Sequence, residues 1–484
     1  MTSIWVKKLR IEGEIPENGP VLICASHMNC YFDSLSLRSA LGYLVPSVIA
    51  EVSTKQKVIG FASGLFQDIS VDRPVDHAVK GVGLIKGEGL NIIGQGTTFL
   101  KDLKPGMIIE ADGNESTVLE VISDTLAKGT YNLPASFIDY RIQPKLDNSK
   151  MFNNVLKWLS SKKPLFICPE GRSHETPGTI KFKSGIGRIV LECLKANIPI
   201  KFYSIGVNYT YPDYFRGNVT VSISPLIEFS QSLIEQDERK AVKTIVDKFY
   251  SELNKNVIPL QNYDEVKLVH FIYSELHGRV NKGQRIQKIQ TICQKIETLR
   301  SKSLDQLTEL TESFCRYRDV IQTREISKYF TRKPGFIEMF FCFIFSMIIL
   351  LFACIGWAII WLESIYVEAK AQQSRLRLLS KITFRKSGCD ILNSDRMIYF
   401  FASFPLVLGF FNLMFYFYSY SFVLTGGFAI VFPLYIYICL LMHDKYLSLW
   451  KTINLYMMSS CDFEAISQAR KSLKVRINDA VGHS

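Results

Sequence analysis

Paired cysteines are missing from this 484-residue sequence. Its 11 cysteines are scattered, none forms a C-x-x-C pair, and Cys342, Cys354 and Cys439 lie in strongly apolar surroundings. They read as reduced, small hydrophobic side chains rather than as disulfides. Cys24 and Cys30 flank His27 at a spacing that fits no zinc site, so no metal ligands are assigned. There is no low-complexity basic tail and no basic face set with aromatics, so the net charge of +12 is not read as a nucleic-acid footprint. Residues 1–10 hold no apolar core of signal-peptide length. Charge itself is absent from 397–442, and in 335–361 only Glu338 carries one. Both stretches are long enough to enter a bilayer. The positive excess then points to an anionic membrane surface or to anionic substrates.

What is present is a set of apolar runs, several ending in polar residues. Val21–Ala25 follows the turn signal Asn18-Gly19-Pro20 and reads as a buried strand that delivers His27. Asp33 reads as the N-cap of a helix over 34–41. Residues six apart do not share a helix face, so His27 and Asp33 meet only if the chain bends between them. Pro164–Cys168 is a second buried strand, ending at Pro169-Glu170-Gly171. Helices are expected over 152–161 and 185–196, and further strands over 200–208 and 219–223. Strand, polar loop and helix in repetition argue for an α/β layered fold with its site at strand C-termini. Frequent glycines and short strand patterns suggest a small β-rich insertion at about 79–134.

The expected organisation is a first domain over 1–230, a helical extension over 231–334, a membrane segment at 335–361, a basic loop at 362–396, a transmembrane hairpin at 397–442 and a polar tail at 443–484. In the extension, Ile286, Ile289, Ile296 and Leu299 form one apolar stripe, followed by Leu304, Leu307, Leu310 and Phe314, the pattern of a packed helical hairpin. Basic residues crowd both sides of the first membrane segment: Arg324, Lys328, Arg332 and Lys333 before it, and Lys370, Arg375, Arg377, Lys381, Arg385, Lys386 and Arg396 after it. A single crossing would put one cluster on the wrong side, so a re-entrant or interfacial segment is preferred to a span.

The polar residues permit a definite chemistry. A histidine beside a carboxylate suits general-base catalysis, with His27 as base and Asp33 as its partner. Arg73 can grip a phosphate through two donors, unless Asp72 or Asp76 holds it as a solvated pair. Gly171 allows close backbone approach, Glu170 can brace the loop or accept from a substrate hydroxyl, and Arg172, Ser173 and His174 add donors. Lys183 adds positive charge near a helix start, or is a plain surface lysine.

These motifs resemble those of the fungal-type glycerol-3-phosphate and dihydroxyacetone-phosphate acyltransferases. The matching blocks are His27-Met-Asn29-Cys-Tyr-Phe-Asp33, Pro169-Glu170-Gly171-Arg172-Ser173-His174-Glu175, Phe182-Lys183-Ser184-Gly185 and Gly206-Val207-Asn208-Tyr209. Arg172 stands where that pattern has glycine, and Tyr203-Ser204-Ile205 where it has Val-Pro-Val. The resemblance implies an acyltransferase-type α/β fold with C-terminal transmembrane helices. It also implies transfer of an acyl chain from acyl-CoA to the sn-1 hydroxyl of glycerol-3-phosphate, without cofactor or metal. His27 and Asp33 would be catalytic; Arg73, Glu170, Gly171, Arg172, Ser173 and Lys183 would bind the phosphorylated acceptor. The implied setting is the endoplasmic reticulum membrane, with the catalytic domain in the cytosol. Dihydroxyacetone phosphate or lysophosphatidic acid is the rival acceptor, and a catalytically silent membrane scaffold is the rival of another class.

Overall fold

The computed structural model describes residues 2–277, 285–327, 330, 332–379 and 387–481. Lys328, Lys381, Arg385 and Lys386 of the two basic clusters lie outside these ranges.

A sheet unit is built on five strands: β1 (Val6–Glu12), β2 (Val21–Ala25), β3 (Leu165–Ile167), β4 (Lys201–Tyr209) and β5 (Gly217–Ile223). Their order is β1–β5–β4–β2–β3. β2 runs parallel to β3 and to β4, β4 and β5 form an antiparallel pair, and β5 is parallel to β1. Every residue of β2 is buried. Alternate side chains point to opposite faces, so both faces are covered, which is why this strand reads as a continuous apolar run. Full burial of Leu22 or Ile23 stabilises the unit by about 1.5–3 kcal/mol each. The unit is α/β and layered, as expected.

Helix α1 (Cys30–Leu41) starts four residues earlier than its pattern suggests, with Asn29 as N-cap and Cys30 at a φ of 45°. Asp33 is therefore not the cap but a first-turn residue. Helix α2 (Gly185–Lys195) packs against the helix Glu238–Asn254. The insertion is a separate antiparallel sheet of seven strands around Ile85, Ile92, Phe99, Ile109, Val118 and Tyr140. It runs past 134, because Arg141–Gln143 pairs with both Val79–Lys80 and Ile108–Ala111.

A helical unit follows, with helices Tyr263–His277, Arg285–Lys302 and Leu304–Thr323. Ile286, Ile289, Ile296, Leu307, Leu310 and Phe314 share one core, whereas Leu304, read as part of the stripe, is 61% exposed at the helix start. The segment expected as a polar tail closes this unit. Helix α6 (Ser460–Val481) contributes Ile466, Leu473 and Ile477 to the same core.

Among the described residues, three helices are long and apolar enough to cross a membrane: α3 (Phe336–Leu379), α4 (Cys389–Ser419) and α5 (Phe422–Met457). The stretch 362–396, read as a loop, is helical through Leu379 and again from Cys389. α3 has no break at which a re-entrant segment would turn back. At 44 residues it is about 66 Å long, twice the hydrocarbon thickness. Just before its start, Lys333 Nζ donates to the Met458 carbonyl of the helical unit (2.6 Å). Near its other end, Arg375 Nε donates to the Ser387 carbonyl (2.5 Å), and the Ser387 N–H donates to Glu175 of the sheet unit. Both ends of α3, with Lys333 at one and Arg375 at the other, thus flank the body formed by the sheet and helical units. α4 and α5 instead form a hairpin, with Phe415 stacked on Phe428 near its turn.

Candidate active site

β2, β3 and β4 are parallel neighbours, so the chain leaves β2 and β3 at the same edge of the sheet while β4 continues past it. His27 lies two residues beyond β2, and the 169–175 loop lies just beyond β3. The base of this edge is held by Glu170, whose Oε2 accepts the His27 N–H at 2.6 Å. Its Oε1 stands 3.2 Å from His174 Nε2 and 3.4 Å from the Ile180 N–H. Glu170 is buried, so of the two roles open to it in the sequence it takes the brace.

The His27 ring reaches Asp33 because α1 begins immediately after Asn29 and aims its first turn backward. His27 Nδ1 is 3.1 Å from Asp33 Oδ2. The same oxygen accepts the Asn29 N–H at 2.7 Å, and Asp33 Oδ1 accepts the Tyr209 hydroxyl at 2.6 Å. Burial and then the Asp33 carboxylate push the Tyr209 phenol well above its ordinary range, so it stays protonated and donates. A carboxylate can only accept at Nδ1, so in the neutral ring this geometry selects the tautomer with the hydrogen on Nδ1 and the lone pair on Nε2. Burial pushes the nearby thiols of Cys24 and Cys168 well above their ordinary range, which leaves them protonated and poor nucleophiles.

Gly171 adopts a φ of +73°, open to glycine without strain, and the Lys183 side chain lies in van der Waals reach above it. The Gly171 carbonyl accepts from Arg73 Nη1 at 3.1 Å, so the arginine and the base are joined across residues 170 and 171. Arg73 is also held by Asp76, through Nε at 2.8 Å and Nη2 at 2.7 Å. Three of its N–H groups are thus engaged, and a guanidinium carries five. Lys183 pairs with Glu115 from the insertion sheet. Arg172 is half-buried on the same loop. Ser173 Oγ donates to Asp390 at the start of α4 (2.8 Å).

The structure thus brings His27, Asp33, Glu170, Gly171 and Arg73 together and sets Lys183 over Gly171. Sequence reasoning missed several partners. Asn29 and Tyr209 stood inside recognised motifs but had no assigned role. Asp390, Asn393 and Ser394 gave no signal at all. Ser394 Oγ donates to the Asn29 carbonyl at 3.0 Å, and Asn393 Nδ2 donates to the Pro212 carbonyl at 2.6 Å.

No family model matches the chain. Among curated proteins it is 22% identical over 445 residues to glycerol-3-phosphate O-acyltransferase 1 of Saccharomyces cerevisiae, covering 83% of this chain and 57% of that one. The resemblance to fungal-type glycerol-3-phosphate acyltransferases holds. Glycerol-3-phosphate O-acyltransferase 2 of the same yeast is 22% identical over 55% of this chain and 42% of its own length. An uncharacterized acyltransferase of Schizosaccharomyces pombe is 26% identical over 54% and 43%. The chain therefore spans about half the length of these acyltransferase relatives. A solved structure, the 1-acyl-sn-glycerophosphate (LPA) acyltransferase of Thermotoga maritima, overlaps 52% of this chain and 74% of its own at 13% identity and a TM-score of 0.28. So loose an overlap carries no weight for the fold or the site.

Proposed function

We propose that the chain transfers an acyl group from acyl-CoA to the sn-1 hydroxyl of glycerol-3-phosphate, giving 1-acyl-glycerol-3-phosphate and free CoA. The carrying observation is the His27–Asp33 pair, whose partners fix the ring with Nε2 as its basic atom. Nε2 takes the hydroxyl proton as the oxygen attacks the thioester carbonyl, and Asp33 stabilises the imidazolium that forms. Collapse of the tetrahedral intermediate breaks the C–S bond, and the imidazolium returns the proton to the CoA sulfur. Acyl-CoA is a co-substrate, and the scheme calls for no metal or cofactor. Arg73, Arg172 and Lys183 meet the acceptor phosphate, with the Gly171 backbone close by. The named relatives support glycerol-3-phosphate as acceptor.

The acyl chain fits an apolar cavity of about 410 Å³ lined by Trp5, Phe215, Val367, Phe400, Phe404 and Leu440. Its wall at Asp213 adjoins Pro212, whose carbonyl accepts from Asn29 Nδ2. A Val367→Trp change is expected to slow transfer of long chains far more than of short ones. The setting we propose is the endoplasmic reticulum membrane, with the catalytic unit in the cytosol and α3 along the interface. Its apolar face, with Phe340, Phe341, Ile348 and Leu351, would meet lipid, and its flanking basic residues the anionic headgroups.

The test is radiolabelled acyl-CoA given to the purified protein in vesicles with each acceptor, followed by positional analysis of the product. Glycerol-3-phosphate is expected to be acylated fastest, at sn-1. Faster transfer to dihydroxyacetone phosphate or lysophosphatidic acid reassigns the acceptor. No transfer to any of them favours the silent scaffold.

A further inference from the structure

The first two turns of α4 hold three buried polar side chains at the mouth of a membrane helix, and each reaches a different segment of the site. Asp390, at 0% exposure, takes the Ser173 hydroxyl on the 169–175 loop. Asn393 Nδ2 bonds the Pro212 and Tyr214 carbonyls at 2.6 and 3.1 Å. Ser394 Oγ donates to the Asn29 carbonyl and accepts the Phe32 N–H at 3.1 Å, both in the segment that carries Asp33. Just upstream, the N–H groups of Ser387 and Gly388 bond Glu175, which closes the same loop from its other end. A carboxylate as buried as Asp390 is tolerated only with compensation. Part of that compensation is the Ser173 hydroxyl, and the N-terminal end of a 31-residue helix adds to it.

We propose that Asp390 is a positioning residue for the acceptor loop, acting through Ser173, and that the α4 N-terminal turn is thereby a wall of the active site. This rests on reading the 169–175 loop as the acceptor-binding loop. With its proton committed to Asp390, Ser173 serves as a strut that fixes where Gly171 and Arg172 present themselves, not as a phosphate donor.

The test uses the full-length protein in vesicles, with KM for glycerol-3-phosphate, KM for acyl-CoA and kcat measured for wild type, Asp390→Ala, Ser173→Ala and the double variant. Each single variant is expected to raise the KM for glycerol-3-phosphate about tenfold. The KM for acyl-CoA and kcat should stay within about twofold, and the double variant should be no worse than either single one. Asp390→Asn keeps an oxygen for the Ser173 hydroxyl and is expected to restore most of the loss. It also serves as the readout if Asp390→Ala does not fold. Additive effects, an unchanged KM, or an Asp390→Asn variant as impaired as Ser173→Ala would overturn the proposal. A wild type that acylates no acceptor sinks the functional reading instead, and is seen before any variant is compared.

Discussion

Asp33, 2% exposed, is gripped by three donors, His27, Asn29 and Tyr209, whereas across the same site Arg73 is paired with Asp76 and Lys183 with Glu115, a carboxylate that solvent reaches. The Arg73 side chain is 28% exposed and that of Lys183 55%. The proposed reaction would ask different things of the two halves. Proton transfer needs a ring held at hydrogen-bond distance in one tautomer, so its supports are buried and its acceptor oxygens are occupied. Phosphate capture needs cations that can change partner. Exposed ion pairs contribute only about 0–1 kcal/mol, so an incoming phosphate can replace Glu115 at Lys183 with little loss.

Variants on the two sides should therefore fail differently. The largest effect belongs to His27→Ala, expected to lower kcat by about 10³–10⁴-fold with little change in the KM for glycerol-3-phosphate. A variant keeping a tenth of the activity would remove the contrast at its root. Asp33→Asn turns an acceptor into a donor facing Nδ1 and is expected to lower kcat by about 10³-fold through the wrong tautomer. Arg73→Lys keeps the charge but loses the fork that engages Asp76 and Gly171. Its KM for glycerol-3-phosphate should rise by about tenfold or more, with kcat nearly unchanged. A fall in kcat without a KM change would place Arg73 on the proton-handling side.

Tyr209→Phe removes one of Asp33's donors and is expected to lower kcat by about tenfold. Its phenol is raised above the usual value of about 10, so the bond's contribution to stability is complete below that pH. That contribution is lost as pH climbs through the raised value, and thermal melts of Tyr209→Phe should lack this alkaline loss. The smallest effect, and of opposite sign, is for Glu115→Gln. Freeing Lys183 should lower the KM for glycerol-3-phosphate by about twofold, most visibly at low salt.

The same division marks what the sequence could reveal. His27 and Asp33 are six residues apart behind an all-apolar strand, so local pattern was enough. Their meeting needed a helix that starts at Cys30, and the positive φ there leaves no compositional trace. Tyr209 ends a strand and looks like any half-aromatic strand residue; only the fold aims its hydroxyl at Asp33. The bond between Ser394 and Asn29 joins residues 365 apart, beyond any local pattern. The insertion was visible by its glycines, but its last strand, Arg141–Gln143, is three residues long and shows itself only by pairing. Hydropathy placed the end of the first membrane segment at Trp361. The helix runs on through 362–379 because that stretch is rich in Ala, Glu, Gln, Arg and Leu and has neither Gly nor Pro.

Ser394 and Phe400 sit on one helix, about 9 Å apart along its axis. The first touches the segment that carries the base, and the second lines the greasy cavity beside Trp5. On the proposed reaction, a newly esterified molecule would be born astride the water–oil boundary, its headgroup among cations and its tail already among hydrocarbon-like side chains. It has no reason to pass through bulk solvent on the way out. Departure sideways into the leaflet, straight to whatever consumes it there, is the exit that such short spacing favours.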